Sequence, residues 1–318
     1  MSNQMTTKER SKSASSGSSK KIIRILVSYL FSFLLALSLL VLSVVCIAGY
    51  TLSEKYTKSC LSDSYFSGIK VNVEEAARDY TIPTGLDTSV VDNVFEIAKI
   101  RQDVEAYIDN TFKIRKSTLD TSVEEARIRE NVLAFLAEEG VSTDAVNPEE
   151  SEVELDTESV EAFNDSVEET NRAVDEYVNE IISIYQKRIK LAGLDYLVKI
   201  GNDYHKYFPF LLIISILVGI ISCFLCLKVH HLPHRGLRYL VYGFSGGFMM
   251  VFLAPFIAFL NGFYNRLGIT PDYFKEYMVT YIKGVLAQFM IVSQIWLLIA
   301  IILGVVVLLL RKKAMKSD

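Results

Sequence analysis

Four long apolar runs leave few folds open to this chain of 318 residues. Each run has at least 21 residues without Asp, Glu, Lys or Arg, and they cover residues 25–50, 207–227, 239–265 and 284–310. About 20 apolar residues in a helix cross a hydrocarbon core of about 30 Å, and a helix satisfies its own backbone polar groups there. We therefore predict transmembrane helices at 22–52, 207–228, 239–264 and 285–310.

The segments around these runs differ in the sign of their charge. Residues 53–206 hold 33 Asp/Glu against 17 Lys/Arg, whereas the flanks 1–24, 228–238 and 311–318 are net positive. Because Lys and Arg in short loops are retained on the cytoplasmic side, this pattern orients the chain. We predict a multi-pass plasma membrane protein with cytoplasmic N and C termini and an extracytoplasmic segment 53–206.

The predicted cytoplasmic segments are short. Residues 1–21 are rich in Ser and Lys with few apolar side chains, so we expect a disordered basic tail. Residues 229–238 form a basic loop, and residues 311–318 form a basic tail. All three fit a purely topogenic role, and lipid-headgroup or partner binding by the first tail stays open.

The segment 53–206 is large enough to bury a core of its own. Its apolar residues recur at helical spacing without long strict alternation, which predicts helices and no sheet. Cys60 is its single cysteine, so an internal disulfide is excluded and the domain must depend on packing. Residues 142–158 are acidic but lack the D-x-[DN]-x-[DN]-G spacing of a calcium loop, which predicts a flexible solvated loop.

A long helix is predicted over residues 159–192. Its apolar positions alternate steps of three and four over about three heptads: Val160, Phe163, Val167, Thr170, Val174, Tyr177, Ile181 and Ile184. This spacing is typical of a coiled coil that could join two copies. A long helix packed on the other helices of the same domain is the favoured interpretation, because the seam includes a polar threonine.

The last outer loop, residues 265–284, contains a second amphipathic pattern. Tyr273, Phe274, Tyr277 and Tyr281 share a helical face opposite Lys275 and Glu276. A helix with such faces suits the boundary between lipid and water, so we predict an interfacial helix here.

One cluster of residues has a metal-like composition. Cys223 and Cys226 are one helical turn apart, and His230, His231 and His234 follow them. Thiolates and imidazoles at such spacings can bind zinc or copper. The cysteines, however, end an apolar helix and the histidines lie in a basic loop, so packing and headgroup contact are the favoured interpretation. Acylation of Cys226 is a further alternative.

No catalytic motif was found in the sequence. G-x-S-x-G, H-E-x-x-H and P-loop patterns are all missing, and the apolar runs contain no charged residue that could couple ion transport. We therefore predict no catalytic residue, no bound cofactor and no metal, and a protein that is not an enzyme. Nothing in the charge pattern suggests nucleic acid as a partner.

Four short motifs follow one another between residues 61 and 122. They are Leu61-Ser-Asp-Ser-Tyr65-Phe66, Gly85-Leu86-Asp87 with Val90-Val91-Asp92, Val104 with Tyr107-Ile108-Asp109, and Leu119-Asp120-Thr121-Ser122. This order resembles a group of bacterial integral membrane proteins that have a helical extracytoplasmic domain after their first span. The resemblance implies the architecture and assigns no functional residue, since the group has no assigned activity.

These observations together predict an all-α membrane protein, with four transmembrane helices and a large helical extracytoplasmic domain between the first and second. We expect a bacterial scaffold, sensor or accessory subunit that acts on protein partners or as a homo-oligomer within the lipid bilayer. The alternative is a permease-like subunit of an ATPase-driven exporter or mechanotransmission complex. The order of spans in this chain is similar to that of the cell-division and macrolide-export permeases. The external domains of those permeases contain sheets, whereas here the external segment is predicted to be helical.

Overall fold

A computed structural model describes residues 5–114, 119–143, 157–230 and 233–317. These residues are overwhelmingly helical and contain no strand, so the predicted all-α class is confirmed. The α-helices are α1 (Met5–Thr51), α2 (Glu54–Ser59), α3 (Asp63–Thr81), α4 (Ile97–Phe112), α5 (Ser122–Glu138), α6 (Thr157–Ile189), α7 (Leu194–Lys228), α8 (Pro233–Asn261) and α9 (Asp272–Ser317). Short 3₁₀ turns lie at Ile82–Thr84, Thr88–Val91 and Phe263–Arg266.

Four helices are long and apolar enough to cross a membrane, which indicates a multi-pass membrane protein. The candidate spans are Ile22–Thr51, Leu194–Lys228, His234–Asn261 and Asp272–Lys313. Each lies over one of the apolar runs. The helix α1 begins at Met5, inside the tail that the sequence predicts to be disordered. Most of the predicted acidic loop 142–158 lies outside the described residues.

The chain divides into two compact units. The first contains Met1–Tyr56, Lys199–Gly268 and Met278–Asp318, and the second contains Thr57–Val198 and Ile269–Tyr277. We call them the membrane unit and the soluble unit.

Within the membrane unit, α1 is the most enclosed span. In the most apolar stretch of each span, the buried share is 44% for α1 and 11–17% for the other three. The first span is therefore the one most covered by the others. Its main neighbour is α8, where Gly243 and Gly247 face Leu35 and Leu39 at distances that leave little room for a side chain. Small residues at four-residue spacing permit this close approach of two helices.

The soluble unit is a helical bundle with one apolar core. Its fully buried members come mainly from α3, α4, α5 and α6, with Phe95 from the loop before α4 and Leu194 from the start of α7. The largest are Tyr65, Phe66, Ile69, Phe95, Ile100, Ile108, Ile128, Ile181, Tyr185, Ile189 and Leu194. Side-chain caps start several elements. The Ser62 hydroxyl accepts from the Tyr65 amide at α3, and the Asp87 carboxylate accepts from the Ser89 amide at a 3₁₀ turn.

The helix α6 packs within its own chain. Val167, Val174, Tyr177 and Ile181 of the predicted seam are buried, and the buried face then widens to Val178, Ile182 and Tyr185. A two-chain seam is narrower than this, and α6 contacts α3, α4 and α5. The favoured interpretation of a helix packed inside its own domain agrees with this arrangement.

The predicted interfacial helix differs from the observed structure. Residues 272–285 are the first turns of α9 and continue into the fourth candidate span without a break. Within the soluble unit, the rings of Tyr273 and Tyr277 lie 5.5 and 5.7 Å from the ring of Tyr65 on α3. Tyr277 is 3% exposed. The tyrosine face therefore packs on protein.

Candidate functional site

The residues of the metal-like cluster are used for packing where the structure describes them. Cys226 is fully buried beside Leu35 and Leu240, and Cys223 packs against the same apolar cluster. The His230 ring stacks flat on Tyr239 with a centroid distance of 5.0 Å. His231 lies outside the described residues.

No metal-binding geometry results from this arrangement. His230 Nε2 lies 2.9 Å from Ser28 Oγ, so one ring nitrogen is already engaged. Among the described residues, no three His, Cys, Asp or Glu side chains form a group that could hold a metal ion. His234 is partly exposed at the start of α8 and does not join the cysteines.

A buried polar cluster lies instead in the soluble unit, where α4, α5 and α6 meet. The Tyr185 hydroxyl of α6 donates to Asp103 Oδ2 of α4 at 2.7 Å. Lys99 Nζ donates to Asp103 Oδ1 at 3.1 Å and to the Asp120 carbonyl at 2.8 Å. Asp103 is 4% exposed and Tyr185 is fully buried, so the bond between them is shielded from water, whereas the bond from Lys99 to the Asp120 carbonyl is exposed.

Glu124 of α5 belongs to the same region and is less well satisfied. Its side chain is 2% exposed, and its Oε2 atom has no hydrogen-bond partner among the described residues. Burial raises the pKa of Glu124, and the Asp103 carboxylate adds to this, while Lys99 and Arg127 oppose it. The carboxyl group therefore holds its proton more strongly than an exposed glutamic acid.

The chemistry of this cluster is not that of an activated nucleophile. Burial and the hydrogen bond to Asp103 raise the pKa of Tyr185, so its phenol stays protonated. A phenol with such a pKa is a poor general base at neutral pH. The hydrogen bond between Tyr185 and Asp103 joins α6 to α4.

An open groove lies at another edge of the same bundle. It has a volume of about 300 Å³ and is lined by Tyr80, Thr84, Leu86, Val132, Leu136, Thr170, Ala173, Val174, Glu176 and Tyr177. The Tyr177 hydroxyl bonds to the buried Thr81 hydroxyl at 2.6 Å, which fixes its ring in the wall. The centroids of the Tyr80 and Tyr177 rings are 6.0 Å apart, and Tyr80 is 36% exposed.

One charged side chain, Glu176, is part of the lining of the groove. Its neighbour in the sequence, Asp175, forms an ion pair with Arg129 of α5. The groove thus combines apolar and aromatic walls with a single carboxylate, and aromatic side chains are enriched in protein-binding surfaces.

Comparison with known proteins places the chain in no family. No protein-family model matches it, and neither a curated protein nor a solved structure is similar to it.

Sequence reasoning missed the buried polar cluster. Asp103 lies one position before Val104 on the apolar face of α4, and a carboxylate at such a position is the available signal. The position of Glu124 in the sequence does not indicate its burial, because acidic residues in the first turn of a helix are usually exposed and interact with the helix dipole. Tyr177 and Val174 of the groove were found, but only as members of the heptad pattern.

Proposed function

We propose that this protein is a non-enzymatic membrane protein that binds another protein through the groove of its soluble unit. It acts as a scaffold, sensor or accessory subunit, with the soluble unit on the extracytoplasmic side of the plasma membrane. The observation that carries the proposal is the groove walled by Tyr80 and Tyr177.

The groove supports binding for two reasons. Tyrosine is enriched among the residues that contribute most to binding at protein interfaces, because its ring buries a large area at low entropic cost. The ring of Tyr177 is held in place by Thr81, so the wall is preorganised and binding loses less conformational freedom.

The charge pattern supports the orientation. Residues 53–206 are strongly acidic, and the short segments that flank the spans are basic. The positive-inside rule favours retention of the short basic segments in the cytoplasm, and the segment between the first two spans then lies on the other side. The partner therefore comes from the extracytoplasmic side or from the membrane itself, as another protein or a second copy of this chain.

The permease-like alternative would use the same helices differently. The helix α6 is separated from α7 by four residues, and Gly193 in this link has a φ of +79°. A movement of α6 could pass into α7 through this link. Co-purification of an ATPase with the full chain would favour the alternative.

Site-specific photocrosslinking tests the proposed function. A photoreactive benzoylphenylalanine at Ala173, an exposed position in the groove, is expected to give a discrete adduct in intact cells of the source organism. The same residue at Glu168, which is exposed on α6 outside the groove, is the matched control and is expected to give none. An adduct at twice the mass of the chain identifies a homo-oligomer.

A second substitution makes the test specific to the groove. Leu136→Arg places a charge in the apolar wall and is expected to abolish the adduct at Ala173. Equal adducts from Ala173 and Glu168, or an adduct that survives Leu136→Arg, contradict binding in the groove.

A further inference from the structure

We propose that the part of α1 around Arg24, the first turns of α8 and His230 form a binding site for the headgroup of an anionic phospholipid. All of these residues belong to the membrane unit.

The first observation is a group of cations without compensating acids. Arg24 lies on α1, and Arg235 and Arg238 lie in the first turns of α8. The sequence contains no Asp or Glu between residues 10 and 53 or between residues 204 and 271. Within the described part of the chain, none of these arginines forms an ion pair with a carboxylate. An anion from outside the chain would therefore bind without competition from carboxylates.

The second observation is that Arg24 and Arg235 both act on His230. Burial lowers the pKa of His230, and the charges of Arg235 and Arg24 lower it further, so both guanidinium groups act on the same imidazole. The Ser28 hydroxyl ties the two helices to this point: Ser28 Oγ donates to the Arg24 carbonyl at 2.8 Å and lies 2.9 Å from His230 Nε2.

The third observation is that the surrounding frame is rigid. The Tyr29 ring of α1 packs edge-on against Tyr239 at 5.2 Å and stacks on Tyr242 at 6.1 Å. Arg238 Nε donates to the Tyr242 hydroxyl at 2.6 Å. This bond leaves the two terminal amino groups of Arg238 without a protein partner among the described residues, and such groups match a phosphate.

The location favours a lipid over a free anion. Arg24, Arg235 and Arg238 lie within about four residues of the first residue of the candidate spans Ile22–Thr51 and His234–Asn261. A membrane crossing by these spans would place the arginines near the headgroups. Below them, Leu26 and Phe33 of α1 are 67% and 54% exposed and provide an apolar track for an acyl chain. Basic pockets between spans with an aromatic border are typical headgroup sites.

Lipid binding to the full-length protein tests this site. The purified protein in a neutral detergent is titrated with phosphatidylglycerol or phosphatidylcholine, and the bound lipids are counted by native mass spectrometry. We expect phosphatidylglycerol to bind at least about tenfold more tightly than phosphatidylcholine. Equal binding of the two lipids would overturn the proposal.

Charge-matched variants locate the site. The triple variant Arg24→Gln, Arg235→Gln, Arg238→Gln is expected to lose this preference. The control Arg311→Gln, Lys312→Gln, Lys313→Gln removes the same charge at the end of α9 and is expected to keep it. Equal losses in both variants would show a general effect of charge. No loss in the first variant would show that these arginines do not bind the lipid. Either result would contradict the proposed site.

Two further arms complete the test. Inorganic phosphate at millimolar concentration is expected not to displace the lipid, and displacement would assign the site to a free anion instead.

If the triple variant does not fold, as judged by its melting temperature, the single variants Arg24→Gln and Arg235→Gln are compared with Lys312→Gln in the same way. Each is expected to weaken binding of phosphatidylglycerol several-fold.

Discussion

At the scale of single residues, Glu124 is an unfavourable group in the core of the soluble unit. Its carboxyl group is buried, one oxygen has no hydrogen-bond partner among the described residues, and Asp103 adds a like charge. A buried polar atom without a partner costs about 1–3 kcal/mol. The raised pKa of Glu124 makes this cost depend on pH.

The sign of that dependence follows from linkage. Below the usual pKa of a glutamic acid, the folded and unfolded chains both carry the proton, and Glu124 does not change stability with pH. As the pH rises above this value, the unfolded chain loses its proton first, because folding raises the pKa of Glu124. The stability of the soluble unit therefore falls as the pH rises between the two pKa values. Above the raised pKa of the folded state it stays at the lower level.

We predict that Glu124→Gln slows amide hydrogen exchange of α5 at neutral pH and has little effect near pH 4. A gain of about 1 kcal/mol corresponds to roughly fivefold slower exchange. The measurement compares the variant with the wild-type full chain at each pH, so that intrinsic exchange rates cancel. Glu130→Gln, an exposed position on the same helix, is the control and should change little. A difference that does not grow with pH contradicts this explanation.

At the scale of elements, the contact between α1 and α8 organises the membrane unit. A Cβ atom at Gly243 would lie 2.7 Å from Leu35 Cδ2 and 3.1 Å from the Ser32 carbonyl oxygen. The leucine can turn aside, but the backbone carbonyl cannot move without α1. The spacing of Gly243 and Gly247 predicts close packing, and the structure identifies α1 as the partner.

We predict that Gly243→Ala lowers the stability of the full chain in detergent. Overpacking costs about 1–3 kcal/mol, while alanine gains about 1 kcal/mol of helix propensity over glycine. The control is Gly304→Ala on α9, where no atom lies within 4 Å of the new Cβ, and which should be neutral or stabilising. Melting temperatures of the two variants measure the difference. Equal melting temperatures would show that the contact with α1 is loose.

The helices themselves could largely be predicted from the sequence, because each feature has a local cause. The four spans follow from the absence of charge over more than 20 residues, and α3 ends near Pro83 and Gly85 as their backbone preferences require. The continuity of α9 was not predicted, because the amphipathic pattern of residues 273–285 does not show whether its apolar face meets lipid or protein.

The buried polar cluster was much harder to predict than the helices, since its causes are not local. Asp103, Glu124 and Tyr185 come from three helices, and only the packing of those helices makes their neighbourhood polar. Likewise, nothing in the spacing of Cys223 and Cys226 showed that α1 would cover them. Periodicity gives the buried face of a helix, but it does not give the side chains opposite that face.

At the scale of the whole molecule, the account depends on orientation. Two compact units alternate along the chain, and their charges differ in sign. The proposed function requires that residues 53–206 lie on the extracytoplasmic side of the membrane. The native cysteines are poor reporters of this, because Cys60 is buried and the other three lie within candidate spans.

The most direct test is thiol labelling of a cysteine-free variant with one new cysteine at a time. Arg172→Cys is exposed in the soluble unit, and Lys312→Cys is exposed near the end of α9. With a membrane-impermeant maleimide, we predict that intact cells label at Arg172→Cys and that Lys312→Cys reacts only after permeabilisation. Labelling of Lys312→Cys in intact cells, with Arg172→Cys protected until permeabilisation, would contradict the orientation and the function proposed from it.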